Sequence, residues 1–186
     1  MFDIKGKKDV RDLKEAGQSK SVGSGLEGRK AVKMVNRISD KLFNNTRYFI
    51  MKSNNYDNVQ IAKDKCVWST PPLNEKKLER AYADCRNVLL VFSVKESGKF
   101  QGIARLLSGA RRDVSPPSWV LPPGISSSSM AVFQLEWIHS GELSFLHTLS
   151  LKNPWNENKP VKISRDGQEV EPGVGEQLCR LWLEHA

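Results

Sequence analysis

Lys52, Ser53, Asn54 and Asn58 fall within KSNNYDN, and Trp68 and Ser69 follow shortly after in KCVWST. A tryptophan beside two hydroxyl residues is poorly suited to filling a core, because its neighbours need hydrogen-bond partners that apolar packing does not supply. A second tryptophan, Trp119, lies in a proline-rich stretch, and Lys162, Arg165 and Asp166 come late in the chain. Together these side chains offer indole faces for stacking, amides and hydroxyls for base edges, and cations for phosphates. That is the chemistry by which single-stranded RNA is held. Loop tryptophans also serve as hot spots in protein contacts. On residue types alone, a nucleobase site stands only modestly ahead of a protein-interaction surface.

Other chemistries find little support. His139, His147 and His185 form neither HExxH nor any i, i+4 pair, which disfavours a metal hydrolase or zinc deaminase. SGKFQG at 97–102 fails the final positions of a phosphate-binding loop and reads as a hairpin turn, and no GxSxG occurs. Cys66, Cys85 and Cys179 show no CxxC spacing, so neither a disulfide framework nor a zinc site is indicated. The expectation is a protein without catalytic residues, metal or cofactor. No apolar run approaches the roughly 20 residues of a membrane span, and MFDIKGKKDVRD is not a secretory signal, so an intracellular, membrane-free protein is expected.

The net charge of +8 points to an anionic partner, but residues 1–43 hold 11 basic against 6 acidic residues, and residues 44–186 hold 18 against 15. RNA binding by the folded part would therefore rest on a local basic patch. KGKK at 5–8 is a weak nuclear-import or phosphate-binding candidate, with a solvated tail as the stronger reading.

The elements that must position these residues are legible in outline. Residues 1–25 read as a flexible leader, and 26–43 as an amphipathic helix with Val32, Val35, Ile38 and Leu42 at helical spacing. TRYFIMKS at 46–53 reads as a strand opening into an SNNYDN loop, followed by a short helix over 59–65. WSTPP must be loop, after which Asn74 is expected to cap a helix with Leu78, Tyr82 and Cys85 on one face. NVLLVFSVKESGKFQGIARL reads as a hairpin. Residues 108–130 form a long ordered loop around a short strand at Trp119–Leu121. AVFQLEWI is another strand, KPVKIS with RDGQEV a late hairpin, and GEQLCRLW a terminal helix. Trp137 and Trp182 are expected in the core, Trp155 as a packed loop anchor, and Arg111 and Arg112 at an exposed loop tip, with the lining of an RNA path as the alternative. The fold class is mixed α/β (α+β): one monomeric domain on an open, curved, barrel-like sheet with helices packed around it.

TRYFIMKSNNYDNV, WSTPPLNEKKL, VFSVKESGKFQGIARL, WVLPPG, NPWNENKPVKISRDGQE and QLCRLW, in this order, resemble the YTH domain over about residues 44–182, leaving 183–186 as a tail. The likeness is greatest to its nuclear, splicing-associated branch. It implies a non-enzymatic reader of N6-methyladenosine (m6A) in single-stranded RNA, located in the nucleus. By resemblance, Trp68, Trp119 and Met130 wall an aromatic cage. Asn58 bonds the base at N1, the Asn54 backbone N–H faces N3, and the Ser69 carbonyl accepts the remaining N6–H. Lys52, Ser53, Lys162, Arg165 and Asp166 contact the RNA backbone. ISSSSM at 125–130 is one residue shorter than the family's segment, and Pro71 replaces a bulkier apolar residue. The alternatives are a methyl-independent single-stranded RNA module and a protein-interaction scaffold.

Overall fold

The structure, a computed structural model, describes Arg29 and residues 40–185, without the side chain of Leu183. The expected leader and most of the expected 26–43 helix lie outside the described residues; residues 40–43 are helical. Two units separate at Lys41/Leu42, and the second carries every element discussed below.

The second unit is built on strand β1 (Thr46–Ser53), whose parallel partner is β3 (Asn87–Val94). Parallel strands need a long crossover. Here it consists of α1 (Tyr56–Lys65), the two-residue β2 (Val67–Trp68) and α2 (Pro72–Asp84). Strands β4 (Lys99–Phe100), β5 (Gly102–Leu106) and β6 (Phe133–His139) follow, then β7 (Leu143–Ser144), β8 (Lys152–Asn153), β9 (Lys159–Pro160), β10 (Gln168–Val170) and α3 (Pro172–His185). The main sheet has six strands in the order β10-β1-β3-β5-β6-β2, curled into a half-barrel.

Both faces of this sheet are covered, which explains why β3, NVLLVFSV, is buried at every position. Side-chain alternation assigns Phe49, Met51, Leu90 and Phe92 to one face, where α1 contributes Ala62 and α2 contributes Leu78 and Ala81. Tyr48, Ile50, Leu89 and Val91 take the other, under Leu178, Cys179 and Trp182 of α3. Trp68 and Trp119 belong to the first face.

Several local expectations are corrected. α1 starts at Tyr56, because Asn55 caps it by accepting the Asn58 N–H at 2.8 Å; SNNYDN is therefore half helix. α2 starts at Pro72, where a missing N–H costs nothing, so Asn74 lies inside the first turn. The late hairpin is absent: β9 pairs with β8, and β10 pairs with β1. No strand forms at Trp119–Leu121, and the long loop is closed instead by the bridge between Arg111 and Val132. Trp182 is fully buried, Trp137 donates to the Ala62 carbonyl at 3.1 Å against the core, and Trp155 is half exposed rather than packed.

Candidate nucleic-acid interface

Trp68 ends the edge strand β2, opposite Phe133 of β6, so its side chain is delivered to the first sheet face. Its ring meets Phe92 edge-on at 5.0 Å and Trp119 at 5.4 Å with 65° between the indole planes. The two indoles thus form a corner. A base stacked on one ring would point an edge at the other, instead of being sandwiched between parallel faces. Met130 packs against the same cluster, at the end of the 3-10 turn Ser127–Ser129. Only 6% of Trp68 and 8% of Trp119 is exposed, so both rings are largely covered by the surrounding side chains.

Four buried polar atoms around this corner have no hydrogen-bond partner: Trp68 Nε1, Ser69 Oγ, Thr70 Oγ1 and Trp119 Nε1. Unpaired buried polar groups are costly, and each calls for a partner. Three of them lie at the end of β2 and just after it and the fourth in the long loop, where the two indoles meet.

Asn58 is in the first turn of α1 and is buried. Its side chain makes a paired contact with the backbone of Val120, the residue after Trp119. Nδ2 donates to Val120 O at 2.8 Å, and Val120 N donates to Oδ1 at 2.8 Å. One Nδ2 proton remains for another acceptor. Asn55 Nδ2 reaches the same Val120 carbonyl at 3.2 Å. Asn54 is exposed immediately before these residues, and Ser69 is buried beside Trp68.

The expected backbone contacts divide differently. Alternation along β1 places Lys52 on the Tyr48 and Ile50 face, opposite the indoles. Its ammonium donates to Ser93 Oγ at 3.1 Å and to Lys162 O at 3.3 Å, and lies 5.7 Å from the centre of the Phe145 ring. Burial lowers the Lys52 pKa, and the Asp166 charge partly opposes this. Ser53 is buried, and its hydroxyl donates to Asn55 O at 2.7 Å, shaping the entry to α1. Asp166 accepts from Lys52 N at 2.9 Å and from Asn74 Nδ2 at 2.8 Å, so it buttresses β1 against α2. Burial raises its pKa, against those two hydrogen bonds and Lys77. Gly167 follows at φ +75°, and a Cβ there would strike the Asn74 side chain, so only glycine lets this turn close. Of the expected RNA-backbone residues, Arg165 is exposed and Lys162 partly so.

Inspection of residue types alone missed Asn55, Glu75 and the Val120 backbone. Glu75, buried in the first turn of α2, pairs with Arg112 at 2.5 Å, and Arg112 Nη1 also donates to Ser129 O at 3.0 Å. Arg112 is exposed, as expected, and also clamps α2 to the Met130 segment. An Asx residue three places before another polar helix residue was the available signal for Asn55. The Glu75–Arg112 pairing had none. Among the described residues, no group of His, Cys, Asp and Glu is placed to hold a metal, and no helix is long and apolar enough to cross a membrane.

Known proteins resemble this chain in sequence and in fold. The YTH domain-containing protein 1 of Drosophila melanogaster is 56% identical over 144 residues, covering 77% of this chain and 20% of that protein. The 30-kDa cleavage and polyadenylation specificity factor 30 of Arabidopsis thaliana is 44% identical over 135 residues, covering 73% and 21%. The chain thus spans about a fifth of the length of these relatives. The Toxoplasma CPSF4 YTH domain, solved in complex with a 7-mer m6A-modified RNA, superimposes with a TM-score of 0.68 at 34% identity, covering 76% of this chain and 92% of that one. The sequence profile of the YT521-B-like domain (YTH) matches residues 46–183, which include β1, both helices of the crossover, the indole corner and most of α3, and the chain belongs to that family.

Proposed function

We propose that this protein reads N6-methyladenosine in single-stranded RNA, by binding alone and without catalysis. The observation that carries the reading is the Trp68–Trp119 corner with a buried Asn58 amide beside it, one of whose protons is uncommitted. The Toxoplasma relative with this fold was solved with m6A RNA, which supports the assignment. A purine stacked on Trp68 would turn its methylated edge toward Trp119 and Met130. N1 would accept from Asn58, N3 would face the Asn54 backbone N–H, and the remaining N6–H would go to the Ser69 carbonyl. Lys162 and Arg165 would hold flanking phosphates. Lys52, Ser53 and Asp166 would act on RNA by shaping the surface around those contacts.

The reader domain is taken as residues 44–182, preceded by a leader over 1–25 and a helix over 26–43, and the protein as a monomer. A nuclear role in mRNA processing is favoured by the likeness to YTH domain-containing protein 1 and to a cleavage and polyadenylation factor. Cell fractionation tests the location. For the activity, two short RNAs differing in one methyl are titrated against the protein. A preference of about 10- to 200-fold for the methylated RNA is expected, as one methyl-sized pocket supplies. Equal binding would leave a methyl-independent RNA module, and no binding would leave a protein-interaction domain.

A further inference from the structure

We infer that Asn55 is a positioning residue for methyl discrimination, fixing the Trp119 wall against the helix that carries the base-edge donor. The inference rests on the proposed reading of the site and adds to it a residue that would touch no RNA.

Both ends of the Asn55 side chain are committed. Oδ1 accepts the Asn58 N–H at 2.8 Å, and Nδ2 donates to Val120 O at 3.2 Å. Asn58 Nδ2 donates to the same carbonyl at 2.8 Å, so the two lone pairs of Val120 O are both used. The Val120 N–H is satisfied by Asn58 Oδ1 at 2.8 Å. This pattern fixes the orientation of the Asn58 amide: turning it over would set Nδ2 against an N–H and Oδ1 against a carbonyl. The proton left on Nδ2 therefore has a defined direction.

Trp119 lies one peptide from this knot. Its own N–H donates to Pro117 O at 2.8 Å, within the same loop, and so does not tie the loop to the rest of the fold. The asparagines do. The N-terminus of α1, the Asn58 donor and the backbone next to Trp119 are consequently held together in the free protein. A wall that shifts by an ångström loses much of its contact with a single methyl group. Asn55 thus affects the preference for methylated RNA from outside the contact surface.

Asn55→Ser and Asn55→Asp test this in the whole chain. Serine and aspartate both cap helices well, so α1 keeps its N-terminal hydrogen bond, while neither supplies the amide donor to Val120 O. Three quantities are measured: affinity for methylated RNA, affinity for the same RNA unmethylated, and hydrogen exchange at the Val120 amide in free protein. Expected are faster exchange at Val120, a loss of about 3- to 10-fold toward methylated RNA, and a smaller loss toward unmethylated RNA, so that the selectivity ratio shrinks. A purely structural role would lower both affinities together. Unchanged exchange at Val120, whose N–H is held by Asn58, shows that the Val120 backbone keeps its place without Asn55 and overturns the positioning role, as does an unchanged ratio or a gain in affinity. If the parent protein shows no methyl preference, the proposed reading fails with its dependent selectivity claim, whereas the Val120 exchange still decides whether Asn55 holds the loop.

Discussion

Asn58→Asp is nearly isosteric, yet the geometry around Asn58 makes it a severe change. In the parent, Nδ2 approaches Val120 O at 2.8 Å and Oδ1 receives the Val120 N–H at 2.8 Å. An ionised aspartate keeps the second bond and destroys the first, because two acceptors then face each other with no proton between them. It also removes the proton proposed for adenine N1. Leaving a buried polar partner unpaired costs about 1–3 kcal/mol, so methylated RNA should bind about 5- to 150-fold more weakly at pH 8. Protonated aspartic acid carries one proton where the amide carries two, so acidification restores either the Val120 contact or the N1 contact. Recovery toward pH 5 should be real and incomplete. Burial and the Val120 carbonyl both disfavour the anion, so the folded pKa of the introduced carboxyl lies above its unfolded value of about 3.9. Its favourable contribution to stability is therefore present below the unfolded value and lost as pH rises through the folded one. Fluorescence anisotropy with methylated RNA from pH 5 to 8, paired with denaturant unfolding over the same range, reads both effects. The parent should vary little, since an amide does not titrate. A variant that binds as the parent does at pH 8, or loses the same amount at every pH, would show that the amide protons of Asn58 serve neither Val120 nor the base.

Trp119→Ala should reduce the ratio of methylated to unmethylated affinity to near one, with about 1–3 kcal/mol lost toward methylated RNA; titration of the two RNAs checks it, and a retained ratio would move the methyl away from this ring. Arg165→Ala, with Lys162→Ala as its companion, should weaken both RNAs by similar factors and lower the slope of log affinity against log salt by about 0.7 per contact, because a phosphate carries no information about N6. Asp166→Asn concerns stability. The folded pKa of Asp166 is raised by burial, so the parent should gain stability relative to this variant as pH falls through that raised value toward about 3.9. At neutral pH the variant lacks one of the two acceptor oxygens that serve Lys52 N and Asn74 Nδ2, at a cost of about 1–3 kcal/mol offset by relief of the buried charge. Urea midpoints between pH 3.5 and 7 measure this.

What could be read from the chain was whatever depends on neighbours in sequence. TRYFIMKS and NVLLVFSV are strands because aromatic and β-branched residues dominate them, and the apolar residues of NEKKLERAYAD repeat with helical spacing. Asparagine and aspartate signal both a turn and a helix cap, and the choice at SNNYDN was decided by Asn55 meeting the Asn58 N–H three residues on. Pairings between distant segments were invisible. β10 pairs with β1 from the opposite end of the chain, Gln168 facing Ile50. Lys52 shows a third limit. Its type suggested a phosphate contact, which stays a proposal; its place in the alternation of β1 sets it on the Tyr48 and Ile50 face, near Phe145. The alternation was legible in the sequence; which face carried the indoles was not, because that depends on β2 pairing with β6.

An uncharged methyl group gives a reader little to hold. Its burial is worth about 0.8 kcal/mol by transfer, and the cation attraction that serves methyl-lysine cages is absent. The rest of any discrimination comes from the packing lost when the methyl is missing and the walls do not close up. That makes rigidity the useful property of the site, since walls able to relax would follow the smaller base and cancel the difference. The fixed parts of this structure are distributed accordingly. Trp68 is set by β2 pairing with β6 and by Phe92; Trp119 is held through Val120 by two asparagines; and the Met130 segment is tied through Ser129 to Arg112 and the buried Glu75. Each wall is thus anchored to a different element, and Met130 carries the most adaptable side chain of the three. In the proposed reading it would be the wall best able to move aside for an entering base, which would leave the two indoles as the parts whose immobility sets the preference.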